Sequence, residues 1–340
     1  MLVGGAGYVG SVLIPVLLRE NYKVVLVDNF YYGKENIKKY EGKIKIIEKD
    51  MRKLNREDMD GVNYLINLGG LSNDSTANYN PKANEILNTV CAFELAKLAK
   101  ETNVSRYILA SSCSVYDQEV LSSNDVDSLL NEESEIIPFG PYAESKFNAE
   151  EMIQPLRDEN FTPIFLRKGT IHGFSERMRF DLVVNTMVKD ALTSGEINLF
   201  SGGEAWRPLI EIRDVAEAYL LALKKDISEK NIFNVASKNY RISEVGLRVV
   251  NALRELGINC KINMRYDQAA SRNYRVSNQK AISELGFKPK YTIEDSVREI
   301  IQNYRHESIT VLEHPRHYNI RWIETLNESN LIINKKPIQL

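Results

Sequence analysis

The segment Gly4-Gly5-Ala6-Gly7-Tyr8-Val9-Gly10, near the start of a chain of 340 residues, decides the fold. Its glycines have the spacing G-x-x-G-x-x-G, directly after the first apolar residues and directly before an apolar stretch with helical periodicity. Glycine permits a tight turn and close approach of the backbone to a ligand, and a helix N-terminus presents free N–H groups and a positive dipole. The segment predicts a turn that binds a pyrophosphate; glycines that only turn the chain are the alternative.

Short apolar runs alternate with longer helical patterns through the first half of the chain. The runs that predict buried strands are Val24–Val27, Ile44–Ile47, Tyr64–Leu68, Arg106–Ala110 and Pro163–Leu166. Helical spacing of apolar residues lies between several of them, for example over Ser11–Glu20 and Ala83–Glu101. This alternation predicts an α/β fold with a doubly wound parallel sheet of the Rossmann type.

The pattern loosens after Arg167, which indicates a smaller α/β substrate lobe interleaved with the Rossmann domain. We assign residues 1–167 with 202–226 to the Rossmann domain and residues 168–201 with 227–305 to the lobe. A helix over Val215–Lys225 and a strand over Ile232–Val235 are predicted within these ranges. Residues 306–340 have no clear period and form a C-terminal segment without an assigned role.

Composition narrows the possible partners. Forty-four Lys and Arg against 46 Asp and Glu leave a formal charge of −2, without general attraction for nucleic acid or anionic lipid. Three cysteines without a CxxC pair imply neither a disulfide framework nor a zinc site. The chain has no signal-peptide pattern and no run of eighteen apolar residues. We therefore predict a cytoplasmic protein that acts on small molecules and binds no metal, nucleic acid or membrane.

Acidic residues at the ends of two predicted strands indicate the cofactor. Asp28 lies eighteen residues after Gly10, where a carboxylate accepts hydrogen bonds from both hydroxyls of an adenosine ribose and repels a 2′-phosphate. Asp50 ends the next strand and is placed to accept from the adenine amino group, with a solvated strand-end acid as the alternative. We predict NAD rather than NADP.

A serine, a tyrosine and a lysine form the candidate catalytic group. Tyr142 and Lys146 share a helix face because they stand four residues apart, and Ser112 follows a predicted strand. An ammonium group beside the phenol, with the positive nicotinamide of NAD, favours the phenolate and lowers the tyrosine pKa from about 10. Tyr142 can then take a proton from a sugar hydroxyl.

Together these residues resemble the extended short-chain dehydrogenase/reductases, and within them the NAD-dependent nucleotide-sugar epimerases and dehydratases typified by UDP-galactose 4-epimerase. The resemblance runs from Gly4 to about residue 305. Besides the glycine segment it is carried by Asp28-Asn29, Asp50-Met51, Ser111–Tyr116, Tyr142–Lys146 and Trp206–Val215.

The resemblance implies the site residues one by one. The implied catalytic residues are Ser112, Tyr142 and Lys146. The implied cofactor contacts are Gly4, Gly7, Tyr8, Val9, Gly10, Asp28, Asn29, Asp50, Met51, Leu68, Gly69, Asn88, Tyr142 and Lys146. The implied substrate contacts are Ser112, Thr170, Arg179, Arg207 and Arg272. Arginine suits a diphosphate because its planar fork donates two hydrogen bonds at once; for Arg179 and its neighbour Arg177 a solvated loop is the alternative.

Several positions depart from the family pattern. Cys113 and Ser114 stand where family dehydratases carry acids, which disfavours dehydration; an acid/base role for Cys113 and a small buried thiol are its two interpretations. Ser72 replaces a lysine of some 4-epimerases, and Asp117 replaces a glycine. These changes leave the identity of the sugar and of the nucleotide open.

The resemblance implies an enzyme of carbohydrate biosynthesis. Our leading hypothesis is an NAD-dependent nucleotide-sugar epimerase that acts at C4 through a transient 4-keto sugar. A nucleotide-sugar dehydrogenase or 4-ketoreductase with net redox needs the same residues, and a non-catalytic NAD-binding scaffold is a third hypothesis. The resemblance also implies a homodimer that pairs helices Ala83–Lys100 and Tyr142–Met152, with Phe93, Leu98, Phe147 and Met152 available at their outer faces.

Overall fold

The computed structural model describes residues 1–117, 129–226, 231–267 and 272–334. Seven parallel strands form the main sheet, in the order β10-β6-β5-β4-β1-β2-β3. These strands are β1 (Leu2–Val3), β2 (Val25–Asp28), β3 (Lys45–Glu48), β4 (Tyr64–Asn67), β5 (Arg106–Ser112), β6 (Thr162–Lys168) and β10 (Ile232–Val235). The predicted doubly wound parallel sheet is confirmed.

Two small sheets form the lobe beside it. One has the order β11-β9-β7, with β7 (Thr170–His172), β9 (Trp206–Glu211) and β11 (Lys238–Arg241). The other pairs β8 (Glu196–Phe200) with β12 (Lys261–Arg265). Since β7 follows β6 after a single residue, the chain passes from the main sheet into the lobe at Gly169.

Helices cover both faces of the main sheet and fill the lobe. Their bounds are α1 (Tyr8–Arg19), α2 (Asp74–Tyr79), α3 (Pro81–Glu85), α4 (Cys91–Glu101), α5 (Pro141–Ile153), α6 (Val183–Thr193), α7 (Ile212–Lys224), α8 (Ile242–Glu255), α9 (Ile293–Tyr304), α10 (Ile309–Leu312) and α11 (Asn319–Asn334). A π-helical turn over Ile86–Val90 joins α3 to α4. Helices α1 and α7 pack together in one core layer, whereas α4 and α5 bury the opposite face. In the described residues, no helix has both the length and the apolar character needed to cross a membrane.

Two strands belong to a different domain from the one to which the sequence assigns them. Strand β10 pairs with β6 in the main sheet, although it lies in the range assigned to the lobe. Strand β9 lies in the lobe sheet, although it was assigned to the Rossmann domain. An apolar run identifies a strand but not its hydrogen-bonding partner, which is why these boundaries were wrong.

The C-terminal segment is more ordered than its sequence indicates. Residues 306–334 contain α10 and α11, while 335–340 lie outside the described residues. In α11, Ile323 is 3% exposed and packs with Leu71 and Ala83. Helical periodicity is weak here because the helix docks through few apolar side chains and several polar contacts.

A buried ion pair joins β6 to α5. The side chains of Arg167 and Glu150 are 2% and 1% exposed, and Arg167 Nε lies 3.0 Å from both carboxylate oxygens. The Ser111 hydroxyl also donates to Glu150, and Arg167 Nη1 donates to the Tyr116 hydroxyl at 2.7 Å. Both charges are therefore compensated inside the core.

We expect Arg167→Met to lower the free energy of unfolding by about 3–5 kcal/mol, because it leaves the Glu150 carboxylate buried without its counter-charge. Urea denaturation measures the loss. The control is Arg248→Met, which breaks a pair with Glu294 whose side chains are partly exposed and should cost at most about 1 kcal/mol. Equal losses in the two variants would contradict the structural role of the buried pair.

Candidate cofactor and catalytic site

The glycine segment forms a tight turn between β1 and α1. Gly4 has φ +72°, and a Cβ there would lie 2.7 Å from the Gly69 nitrogen. A Cβ on Gly10 would lie 2.2 Å from the Gly5 carbonyl oxygen, so the first turn of α1 packs directly against this backbone. No side chain caps the N-terminus of α1 at Gly7. Its first N–H groups are therefore available to an anionic ligand, which fits the pyrophosphate of a dinucleotide.

Asp28 links the end of β2 to this turn. One carboxylate oxygen accepts from the Ala6 nitrogen at 3.0 Å and the other from the Phe30 nitrogen at 2.8 Å. Burial raises the pKa of Asp28, although these two hydrogen bonds oppose the shift. The carboxylate thus holds the turn in place and also lies at the cavity wall.

The predicted site residues line one cavity of about 490 Å³ between the carboxyl ends of the central strands. This cavity lies where the strand order reverses, between β1 and β4, which is the usual ligand crevice of an open parallel sheet. The predicted residues in its wall are Gly4, Gly7, Tyr8, Val9, Gly10, Asp28, Asn29, Asp50, Met51, Leu68, Gly69, Ser112, Tyr142, Lys146, Thr170, Arg179, Arg207 and Arg272. Asp50 is paired with Arg52 there rather than solvated alone.

Asn88 is the exception among the predicted cofactor contacts. Its side chain lies behind the cavity wall, where Nδ2 donates to the Leu71 carbonyl oxygen at 2.9 Å and to Asn84 at 2.7 Å. A Cβ on Gly70 would come within 2.0 Å of Asn88 Oδ1. The π-helical turn directs Asn88 toward the backbone of residues 70–71, so the structure does not support a direct cofactor contact.

Ser112, Tyr142 and Lys146 meet at the bottom of the cavity. Ser112 ends β5, and its hydroxyl accepts from the Ser114 nitrogen at 3.1 Å. Helix α5 begins at Pro141, whose fixed φ suits a first helical position, and presents Tyr142 and Lys146 on one face. Lys146 Nζ lies 5.8 Å from the centroid of the Tyr142 ring. The predicted catalytic group is thus assembled.

The electrostatics of this group differ from the prediction. Burial raises the pKa of the Tyr142 phenol, whereas Arg272 and a hydrogen bond with Ser112 act in the opposite direction. Burial also lowers the pKa of Lys146 to about 8. The chain alone therefore does not lower the pKa of Tyr142, because desolvation of the phenolate outweighs the attraction of nearby cations.

Arg207 and Arg272 lie together at the substrate side of the cavity. Arg207 Nη1 donates to the carbonyl oxygens of Trp206 and Arg272. Arg272 is bound to Asp74 and lies 3.5 Å from Asp117, measured from Nε to Oδ2. The acid that replaces the family glycine thus faces Arg272, and burial raises the pKa of Asp117 to about 6.

Arg177 and Arg179 are buried, so the solvated-loop alternative is wrong for both. Their segment folds back onto the start of α1, where the Ser175 hydroxyl donates to the Tyr8 carbonyl oxygen at 2.8 Å. Arg179 forms a two-pronged ion pair with Asp181, at 2.8 and 2.9 Å. Nothing in the local sequence indicates this return of the chain.

Several residues of the cavity wall were missed from the sequence. They include Tyr32, Lys168 and Tyr219, together with Asn319 and Ile323 of the C-terminal segment. Ser72 and Arg177, both noted in the sequence, also line the wall. Lys168 had a local signal, because it lies two residues before the predicted substrate contact Thr170. Asn319 and Ile323 had none, since their place in the wall depends on contacts with distant parts of the chain.

The sequence model of the NAD dependent epimerase/dehydratase family matches residues 1–236, so the chain belongs to this family. The match ends before the C-terminal segment. The NAD cofactor predicted from the glycine turn and Asp28 is confirmed as the cofactor of this family.

Individual relatives are distant. UDP-glucuronic acid decarboxylase 1 of Xenopus tropicalis is 24% identical over 324 residues, which cover 92% of this chain and 73% of that protein. A UDP-glucose 4-epimerase of Cyamopsis tetragonoloba is 24% identical over 339 residues, covering 88% and 92%. The crystal structure of UDP-glucuronic acid 4-epimerase from Bacillus cereus with UDP-glucuronic acid and NAD has a TM-score of 0.75 and 20% identity, covering 89% of this chain and 99% of the other. This structural likeness shows the fold.

We expect Asp28→Ala to weaken NAD binding by roughly 10–150-fold and to narrow the preference for NAD over NADP. The variant removes both an acceptor for the ribose hydroxyls and the repulsion of a 2′-phosphate. Fluorescence titrations with NADH and NADPH measure both effects. Asp60→Ala removes the same charge at an exposed position outside the cavity and serves as the control. An unchanged ratio of the two affinities would show that Asp28 does not select the cofactor.

Proposed function

We propose that the protein is an NAD-dependent nucleotide-sugar epimerase that inverts C4 through a transient 4-keto sugar. The observation that carries this proposal is the shared cavity, which is lined by Ser112, Tyr142 and Lys146 together with the glycine turn and Arg207. A cofactor end, a proton-transfer group and an anion-binding end are therefore arranged along one continuous wall. Each of the three parts is needed for the proposed reaction.

Each side chain of the site has a separate role at the reacting hydroxyl group. When bound, NAD supplies the acceptor and donor of the hydride at C4. Tyr142 takes the proton of the 4-hydroxyl when the ketone forms and returns it when the alcohol is restored. Ser112 orients the same hydroxyl, and Lys146 favours the phenolate form of Tyr142. The nucleotide sugar is neither oxidised nor reduced overall.

Inversion requires that the sugar turn over while the rest of the substrate stays bound. A diphosphate held at Arg207 provides an anchor that places no demand on the orientation of the sugar. The relatives named above carry UDP-sugars in their names, which supports a nucleoside-diphosphate sugar as the substrate class. The substrate can therefore stay bound through its diphosphate while the sugar changes its orientation.

The residues beside Ser112 support epimerisation over elimination of water. Cys113 is fully buried, and its thiol lies 3.0 Å from the Arg167 carbonyl oxygen. Burial strongly raises the pKa of this thiol, which fits the interpretation of a small buried side chain. Ser114 is also fully buried. Neither position supplies the additional acid or base that dehydration needs.

We infer that the protein acts in the cytoplasm as a homodimer. Helices α4 and α5 are the pairing elements that the resemblance implies, and apolar side chains remain exposed beside them at Val90 and Met152. Phe93, Leu98 and Phe147 are only partly buried within one subunit. A helix bundle between two copies would cover these side chains.

Replacing the catalytic phenol tests the proposed reaction. Tyr142→Phe should lower the rate of epimer formation by about 10²–10⁴-fold while leaving NAD affinity nearly intact, because only the proton-transfer group is lost. UDP-, GDP-, CDP- and dTDP-sugars are offered in turn, and epimers and free NADH are both measured. The control is Tyr79→Phe, since Tyr79 is exposed and outside the cavity.

The same panel separates the hypotheses. Epimers without free NADH are expected. Stoichiometric NADH would instead support a dehydrogenase with net redox, and full activity of Tyr142→Phe would refute the assignment of the phenol.

The anchor is tested with Arg207→Met. This variant should weaken binding of nucleoside diphosphates by roughly 10–150-fold, with NAD affinity unchanged, because it removes a charge-assisted contact of about 1.5–3 kcal/mol. Titration calorimetry with UDP, GDP, CDP and dTDP measures the change. Arg241→Met is the matched control: Arg241 likewise contacts Trp206, through its ring, but it pairs with Glu204 outside the cavity. Unchanged affinities in Arg207→Met would remove the main support for the substrate class.

A further inference from the structure

We propose that the C-terminal segment completes the cofactor site: Asn319, at the start of α11, holds Arg177 as a cation that binds the pyrophosphate of NAD. The inference rests on NAD binding and not on the proposed epimerase reaction. It assigns a binding role to a segment outside the part of the chain that matches the family.

Arg177 is a buried cation without a carboxylate partner. Its side chain is 6% exposed and forms no ion pair with any acid in the described residues. The guanidinium lies 3.8 Å above the ring of Tyr32, Nη2 donates to Asn319 Oδ1 at 2.5 Å, and Nε has no hydrogen-bond partner. An uncompensated buried charge is costly, so an anionic ligand at this place would stabilise the protein.

The position of Arg177 in the cavity wall indicates which anion it binds. Arg177 follows Ser175, which is bound to the first residue of α1, and Tyr32 follows Asp28 by four residues. Arg177 therefore stands between the helix N-terminus and the end of β2. In a dinucleotide site the pyrophosphate lies at that helix terminus, next to the ribose bound by the strand-end acid. Arg207 and Arg272 belong to a separate group around Asp74 and Asp117.

The contacts of Ser72 support the assignment of Arg177 to the pyrophosphate. At the position where some 4-epimerases of the family have a lysine, the Ser72 hydroxyl accepts from Asn319 Nδ2 at 2.6 Å and from Arg179 Nη1 at 3.2 Å. Arg179 is already neutralised by Asp181. Arg177, on the other side of Asn319, is therefore the arginine of this pair whose charge is not neutralised by a carboxylate in the described residues.

The C-terminal segment is fixed over the cavity by contacts with three loops. The Asn319 nitrogen donates to Asp181 at 3.1 Å, and Trp322 Nε1 donates to the Tyr31 carbonyl oxygen at 2.6 Å. Ile323 packs with Leu71, close to Ser72. Asn319 thus uses both ends of its amide, one toward Arg177 and one toward Ser72. An amide suits this place because it orients a guanidinium without neutralising it.

A series of ligands isolates the phosphate contact. Arg177→Met should weaken binding of NADH and of ADP-ribose by roughly 10–150-fold, with adenosine affinity unchanged, because adenosine has no phosphate. Titration calorimetry on the full chain, without sugar substrate, measures all three affinities. Arg321→Met is the matched control: this arginine of α11 also stacks on a tyrosine, 4.3 Å from the Tyr318 ring centroid, but it lies outside the cavity.

The role of Asn319 is tested by a variant that changes the charge of the side chain but keeps its size. Asn319→Asp keeps the shape of the side chain but pairs a carboxylate with Arg177, so it should weaken ADP-ribose binding more than Asn319→Ala does. Asn327→Asp makes the same change further along α11, where the side chain contacts Tyr79, and should leave the affinity unchanged. Thermal unfolding of each variant checks the fold; if the Asn319 variants do not fold, Arg177→Met with its control decides the proposal.

Three results would overturn the proposal. Equal losses for ADP-ribose and adenosine in Arg177→Met would show a packing role only. A loss confined to NADPH would place Arg177 at a 2′-phosphate. Unchanged ADP-ribose affinity in both folded Asn319 variants would show that the segment is not part of the site. None of these results depends on whether the protein epimerises a sugar, so failure of the proposed function is distinguishable.

Discussion

The buried ion pair between Glu150 and Arg167 fixes helix α5, which carries the proposed catalytic residues Tyr142 and Lys146, to the sheet. Glu150 lies four residues after Lys146 and eight after Tyr142, on the same side of α5. The same carboxylate binds the hydroxyl of Ser111, which is the neighbour of Ser112. One buried carboxylate therefore joins α5, which carries Tyr142 and Lys146, to β5, which ends at Ser112. Since an unpaired charge cannot remain there cheaply, the sheet and the helix have a single favourable arrangement.

Two arginines of the cavity wall face possible anions, and these arginines differ in the side chains that hold them. Arg177 forms no ion pair within the part of the chain that the structure describes, and an amide and an aromatic ring orient it, so its charge is available to a ligand. Arg272 is held by Asp74 and Asp117, so a ligand there must share or displace these acids. The two arginines therefore differ in whether a bound anion would have to compete with acidic side chains of the protein.

Burial explains why the chain alone does not lower the pKa of Tyr142, the proposed proton-transfer group. The phenol and the ammonium group of Lys146 are both removed from water, which disfavours the charged form of each. A positive cofactor ring placed beside them would restore the phenolate.

The sequence by itself determined the features that depend on local spacing. The glycine turn, the strands of the parallel sheet, Asp28 at the end of β2, and the helix face shared by Tyr142 and Lys146 are all local patterns, because backbone geometry and side-chain periodicity act over a few residues. Family resemblance added Ser112 and Arg207 on short motifs, and both lie in the cavity wall.

Tertiary structure alone decided the rest. The pairing of β10 with β6, the turn of Asn88 away from the cavity, the burial of Arg177 and the raised pKa of Tyr142 all depend on which surfaces meet. Asn319 shows the reason most clearly: it contacts Ser72 across 247 residues of chain and Arg177 across 142, through single polar bonds. Such bonds leave no period in the sequence, so only the folded chain brings the C-terminal segment to the cofactor site.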